Sequence, residues 1–143
     1  MGRILAVDPG SKRVGLAVSD PTHTIASALS TEPAEPEADL PARLAVIAAD
    51  QEAERIVVGL PRELSGRRGP AAAAAERLAS RLRAVAGIPV ETIDERLTTA
   101  AAERSLIEAG AKRAERRQSI DRVAATLLLQ GYLDRVRAGQ RAG

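Results

Sequence analysis

Two short, unbroken apolar runs constrain this chain most: Ile4-Leu5-Ala6-Val7 near its start and Ile56-Val57-Val58 after an intervening helical pattern. A strand with one wet face alternates apolar and polar residues, so an unbroken run suits a strand covered on both faces. Strand, helix, strand is the pattern of a parallel crossover. The fold class expected is therefore α/β, with helices on both faces of a sheet.

The remaining elements follow from punctuation. Pro9-Gly10 forces a turn after the first run, Val14 to Val18 carries a second strand pattern, and Thr24 to Leu29 a third after Asp20-Pro21. Short turns between the three imply antiparallel pairing. Thr31 to Asp39 reads as an acidic surface loop, with Asp39 capping a helix that has Pro41 in its first turn and Leu40, Leu44 and Ile47 as its apolar stripe. A second helix from about Pro70 shows Leu78, Leu82 and Val85 at helical spacing before Gly87, and Ile88 to Ile93 is a fifth strand. A third helix is expected from about Thr99 to Ala109, then a basic loop from Lys112 to Arg117, then a last helix from Ile120 to about Arg137. The expectation is a five-stranded mixed sheet, three antiparallel strands then two parallel ones, in a single domain spanning residues 1–143 with a flexible tail from about 138.

Composition narrows the chemistry. The chain of 143 residues has no Cys and one His, His23, which excludes a cysteine nucleophile, a zinc cluster and a disulfide framework. No apolar stretch is long enough to span a membrane, and the start reads as a strand instead of a signal peptide, so a cytoplasmic protein without membrane partners is expected. The formal net charge is only +2, but Arg far outnumbers Lys, which suits phosphate contacts at particular places. With no Phe or Trp and Tyr132 as its one aromatic residue, the chain cannot build a base-stacking platform. Nucleic-acid contact would be mainly to the backbone.

Three places carry candidate carboxylates. Asp8 ends the first strand, where sheets with parallel strands place their ligands; its plainer reading is the start of the Pro-Gly turn. Asp94-Glu95-Arg96 ends the fifth strand and should open on the same edge; the alternative is a charged turn in which Asp94 or Thr99 caps the next helix. Asp121 falls in the expected first turn of the last helix, where the helix dipole favours any carboxylate, although Ala124 and Ala125 would let that helix approach the sheet closely. If the three converge, hard oxygen ligands would hold Mg²⁺ or Mn²⁺ and leave positions for water and phosphate. Basic residues flank them: Lys12 and Arg13 in the hairpin beside Asp8, Arg62, Arg67 and Arg68 in the Leu60–Gly69 loop, and Lys112, Arg113, Arg116 and Arg117 before the last helix. Each could grip a sugar-phosphate backbone or be solvated surface.

At this point four motifs, in order over nearly the whole chain, resemble the YqgF family, also called RuvX: Val7-Asp8-Pro9-Gly10-Ser11-Lys12-Arg13-Val14-Gly15, Val57-Val58-Gly59-Leu60-Pro61, Asp94-Glu95-Arg96-Leu97-Thr98-Thr99 and Asp121-Arg122-Val123-Ala124-Ala125. That family is similar in fold to RNase H and to the Holliday-junction resolvase RuvC, and its members are associated with maturation of the 5′ end of pre-16S rRNA. The resemblance implies a metal-dependent nuclease with Asp8, Glu95 and Asp121 as catalytic, metal-binding acids, and Gly10, Lys12, Arg13 and Arg96 around them. RuvC-like relatives end strand four on an acid; here Gly59-Leu60-Pro61 stands there, so Glu95 would substitute from one strand later.

The expected partner is nucleic acid, either structured RNA such as pre-rRNA, with the ribosome as a further partner, or branched DNA. Resolution of a junction needs two symmetric sites and hence a homodimer; trimming of an rRNA precursor needs only a monomer. A non-catalytic RNA-binding assembly factor is a third reading. A fourth, an ATP-binding protein of the actin and sugar-kinase type, also starts a phosphate loop with Asp-x-Gly, but this chain has neither the length for two such domains nor a later Asp-x-Gly.

Overall fold

β1 (Arg3–Pro9), β2 (Arg13–Ser19) and β3 (Ala26–Pro33) form the antiparallel half of a five-stranded sheet of order β3-β2-β1-β4-β5 in the computed structural model. The structure describes residues 2–10, 12–61, 69–94 and 113–142, with side chains in the last segment described for 123–139. α1 (Leu40–Asp50) leads to β4 (Ala53–Leu60), α2 (Pro70–Val85) to β5 (Val90–Asp94), and α3 (Arg113–Ala142) closes the described chain. β4 pairs parallel with both β1 and β5, as the crossover pattern predicts.

The unbroken apolar runs do bury both faces. Leu5 and Val7 join Ile56, Val58, Leu44 and Leu82 in a core beneath α1 and α2, whereas Ile4, Ala6 and Val57 join Ala125, Leu129 and Leu133 beneath α3. Alternation along the strand is what sends successive side chains to opposite layers. Ala124 and Ala125 are both buried, as close approach of α3 to the sheet requires.

Several boundaries differ from expectation. β3 runs to Pro33, into the segment read as loop, because Glu32 and Thr31 pair with Val14 and Gly15 of β2. β5 is displaced toward its end, with Asp94 inside it and paired with Leu60. Asp39 precedes α1 but makes no side-chain cap; a 3-10 turn, Glu37–Asp39, runs straight into the helix, and the Asp39 N–H donates to the Pro36 carbonyl at 3.1 Å. α3 begins at Arg113 instead of Ile120, so Arg113, Arg116 and Arg117 are helical and not in a loop. The segment Arg113-Ala-Glu-Arg-Arg-Gln is made of strong helix formers without Gly or Pro, and nothing in it stops the helix. Asp121 consequently lies two turns into α3, where the dipole of the first turn no longer accounts for it. The helix expected over Thr99–Ala109 lies outside the described residues. Among the described residues no helix is long and apolar enough to cross a membrane.

Candidate active site at the carboxyl edge of the sheet

β1, β4 and β5 run in the same direction, so their carboxyl ends bring Asp8, Leu60 and Asp94 to one edge. Asp8 sits opposite Gly15 of β2 and is half-buried. Its neighbours Ala6 and Ile4 belong to the α3 layer and Val7 to the α1/α2 layer, so alternation turns Asp8 toward α3. Lys12 and Arg13 stand in the same hairpin, Lys12 exposed and Arg13 half-buried, and the Lys12 carbonyl accepts the Ala34 N–H at 2.9 Å. The turn is tight enough to demand its glycine: a Cβ on Gly10 would lie 2.5 Å from the Arg13 carbonyl oxygen, which is backbone and cannot swing away.

Asp94 is separated from Asp8 by the same rule. Val90 packs into the α1/α2 core and Ile93 against the α3 core, so Asp94 belongs to the α1/α2 face. The two carboxylates share an edge but not a face.

α3 runs antiparallel to β1. Tyr132 and Leu133 lie at the amino end of the parallel strands, where a cavity of about 380 Å³ is lined by Ile4, His23, Arg55, Tyr132 and Arg137. Arg55 donates to the Tyr132 hydroxyl at 2.8 Å and pairs with Glu91. The Gln130 amide fixes the other flank, accepting from the Ala26 N–H at 2.9 Å and donating to the Thr24 carbonyl at 3.0 Å. From these anchors the helix leads back toward the edge that holds Asp8. Sequence reading missed this anchoring; its one trace was that the sole aromatic residue falls seven positions after Ala125, on the same helical face.

Of the predicted site residues, the structure brings Asp8, Lys12 and Arg13 together. Arg62, Arg67, Arg68, Glu95, Arg96 and Lys112 lie outside the described residues, and Arg113, Arg116, Arg117 and Asp121 are described as helix backbone only. Among the described residues no group of three metal-ligating side chains comes together.

Comparison with known proteins bears on this edge. The model of the RuvX family, described as Holliday junction resolvase, matches residues 2–135. A protein of Chloroflexus aggregans named "Putative pre-16S rRNA nuclease" is 46% identical over 131 residues, covering 92% of each chain. One of the same name from Moorella thermoacetica is 48% identical over 135 residues, covering 94% of this chain and 96% of its own. Among solved structures, RuvC of T. thermophilus in complex with a Holliday junction substrate superposes with a TM-score of 0.57 at 19% identity, covering 95% of this chain and 96% of RuvC. That likeness shows the fold, the RNase H-like sheet expected from the sequence.

Proposed function

This chain belongs to the RuvX family, and we propose that it is a cytoplasmic, divalent-metal-dependent nuclease that hydrolyses phosphodiester bonds in precursor rRNA, with Asp8, Glu95 and Asp121 as its acids. The observation that carries the reading is the direction of α3. The eleven residues from Tyr132 back to Asp121 rise about 16 Å, and the four from Ile4 to Asp8 advance about 13 Å; the similar spans support our reading that α3 brings position 121 to about the level of Asp8. Alternation puts Asp94 on the other face from Asp8, which supports the choice of Glu95 made by resemblance.

The donor set fits a hard cation, since carboxylate oxygens at an open, glycine-turned sheet edge are what Mg²⁺ and Mn²⁺ take. Asp8, Glu95 and Asp121 would hold it, and bound metal supplies an activated water and charge neutralisation at the leaving oxygen. The chain's own contribution is positioning. β1 fixes Asp8 by its pairing with Gly15 of β2, one residue past the last pair with β4, Val7 with Val58, and Gly10 keeps the hairpin low enough for a phosphate to approach. Lys12 and Arg13 neutralise the incoming backbone, and Arg96, Arg62, Arg67, Arg68, Lys112, Arg113, Arg116 and Arg117 are the further residues we propose for phosphate contact, on their charge alone.

The relatives' shared name points to rRNA, whereas the family's description points to branched DNA, which favours keeping the junction as the second substrate to be tried. The test is one cleavage assay with Mg²⁺ or Mn²⁺ on precursor 16S rRNA and a four-way DNA junction in parallel, with and without EDTA. Metal-dependent cutting of the precursor at its 5′ end is expected; cutting of the junction alone would reassign the substrate, and cutting of neither would leave a non-catalytic assembly factor.

A further inference from the structure

A second feature of the same edge has no part in that chemistry. On the α1/α2 side, between the β1–β2 hairpin and the two helices, lies a cavity of about 160 Å³. Pro9, Val14, Pro41 and Leu78 give it apolar walls, and Glu35, Glu37 and Arg81 contribute the charged groups. An apolar cavity of about 150 Å³ in another protein accepts a benzene molecule. The size therefore suits one flat six-membered ring.

The polar groups favour one such ring. Glu37 Oε1 lies 3.8 Å from Arg81 Nη1 and 3.8 Å from Arg77 Nε, farther than a hydrogen bond reaches. Carboxylate and guanidinium thus stand side by side, each able to bond a third group. The Watson–Crick edge of cytosine matches such a pair: its N4 amino group donates to a carboxylate, and N3 and O2 accept from a guanidinium. Uracil can offer only its N3–H to the carboxylate and one neighbouring carbonyl to the guanidinium, one contact fewer than cytosine, with its other carbonyl left facing the carboxylate side.

Position links the slot to the proposed cleavage site. Pro9 follows Asp8 directly, and strand alternation places the two on opposite faces of one edge. A strand crossing that edge can present a phosphate on the α3 side while the adjoining base turns into the slot. We propose that this slot takes an unstacked cytosine of the substrate strand, next to the phosphate that is cut. Its link to cleavage rests on the nuclease reading; its base preference does not. The substrate must then be single-stranded there, or have the base extruded, since a paired cytosine has no free edge.

The test is a titration of the whole chain, carrying Asp8→Asn to prevent cutting, with oligocytidylate and oligouridylate of equal length, followed by NMR. Roughly tenfold tighter binding of the cytidylate is expected, with the methyl signals of Val14 and Leu78 moving. Ala74→Leu, which fills the slot from a helix position that tolerates leucine, should erase the preference, and Glu37→Gln should reduce it. Should Ala74→Leu fail to fold, Glu37→Gln carries the same comparison. Equal affinity for the two oligonucleotides, a preference that survives both substitutions, or shifts confined to other surfaces would each overturn the slot. Cleavage by Asp8→Asn would overturn the catalytic assignment and leave this binding result standing on its own.

Discussion

The two ends of the parallel strands are built in opposite ways. At the amino end, side chains lock the layers together: Arg55 bridges Tyr132 and Glu91, His23 contacts both the Gly2 carbonyl and Glu54, the Ser19 hydroxyl accepts the Ile4 N–H at 2.8 Å, and Gln130 straps α3 to the edge of β3. At the carboxyl end, Asp8, Lys12 and Arg13 are held by backbone pairing and a glycine turn, and their side chains stay at least partly open. The contrast separates duties. The contacts at the amino end fix the helix away from the edge that we propose meets a metal and a phosphate.

The contrast is broken hardest at Asp8. Asp8→Asn should lower cleavage by roughly a thousandfold or more, because the metal of the proposed site would lose a charged ligand where charge develops, while the melting temperature stays near that of the parent. Melting curves together with a single-turnover assay check this, and an active Asp8→Asn protein would remove Asp8 from the chemistry. Next in size is Leu129→Ala, a fully buried contact between α3 and the sheet. It should cost about 2–5 kcal/mol, read from denaturant unfolding, and no change would mean that α3 does not need this core to stay docked.

Legibility followed the same division. The sheet could be read because unbroken apolar runs and Pro-Gly or Asp-Pro turns are local signals, and every strand and its direction came out as expected. The start of α3 was misplaced because Lys112 to Arg117 was read by its charge as a loop, whereas charged residues such as Arg and Glu are also good helix formers. The position of Asp8 at the sheet edge was legible from its place after a buried run. The face on which Asp94 sits was not, since it depends on where β5 begins relative to β4, and that register is a tertiary fact. The Glu37–Arg81 pairing was equally hidden: those residues are far apart in sequence and meet only because α1 and α2 pack side by side.

Smaller effects sharpen the comparison. Replacing Arg67 and Arg68 with Ala should weaken nucleic-acid binding and flatten the log–log salt dependence by roughly 1.5 units if each contacts one phosphate; an unchanged slope would take that loop out of the interface. At the other end, Tyr132→Phe removes the hydroxyl that accepts from Arg55 and should cost about 1 kcal/mol of stability. Its effect on cleavage should appear in the metal concentration needed for half-maximal rate, since α3 would then hold Asp121 less firmly, with little change at saturating metal.

The smallest effect is a pH dependence confined to the amino end. The Asp20 carboxylate accepts the backbone N–H groups of Ile25 at 2.8 Å, Thr24 at 2.7 Å and Thr22 at 3.2 Å, and the Thr22 hydroxyl as well. These bonds, that from Ile25 first, hold its carboxyl well below the ordinary aspartate value of 3.8. A depressed carboxyl stabilises the fold fully above the unfolded value and loses that contribution as the pH falls below it, because the unfolded chain then binds the proton that the folded turn refuses. Asp20→Asn keeps the shape of the side chain without the charge. Its melting temperature should therefore lie below that of the parent at pH 6, and the gap should narrow as the pH is taken from about 4 downward, as the unfolded parent takes up the proton that its folded turn still refuses. A gap of constant size across that range would show that the loop depends on the shape of the turn and not on its charge.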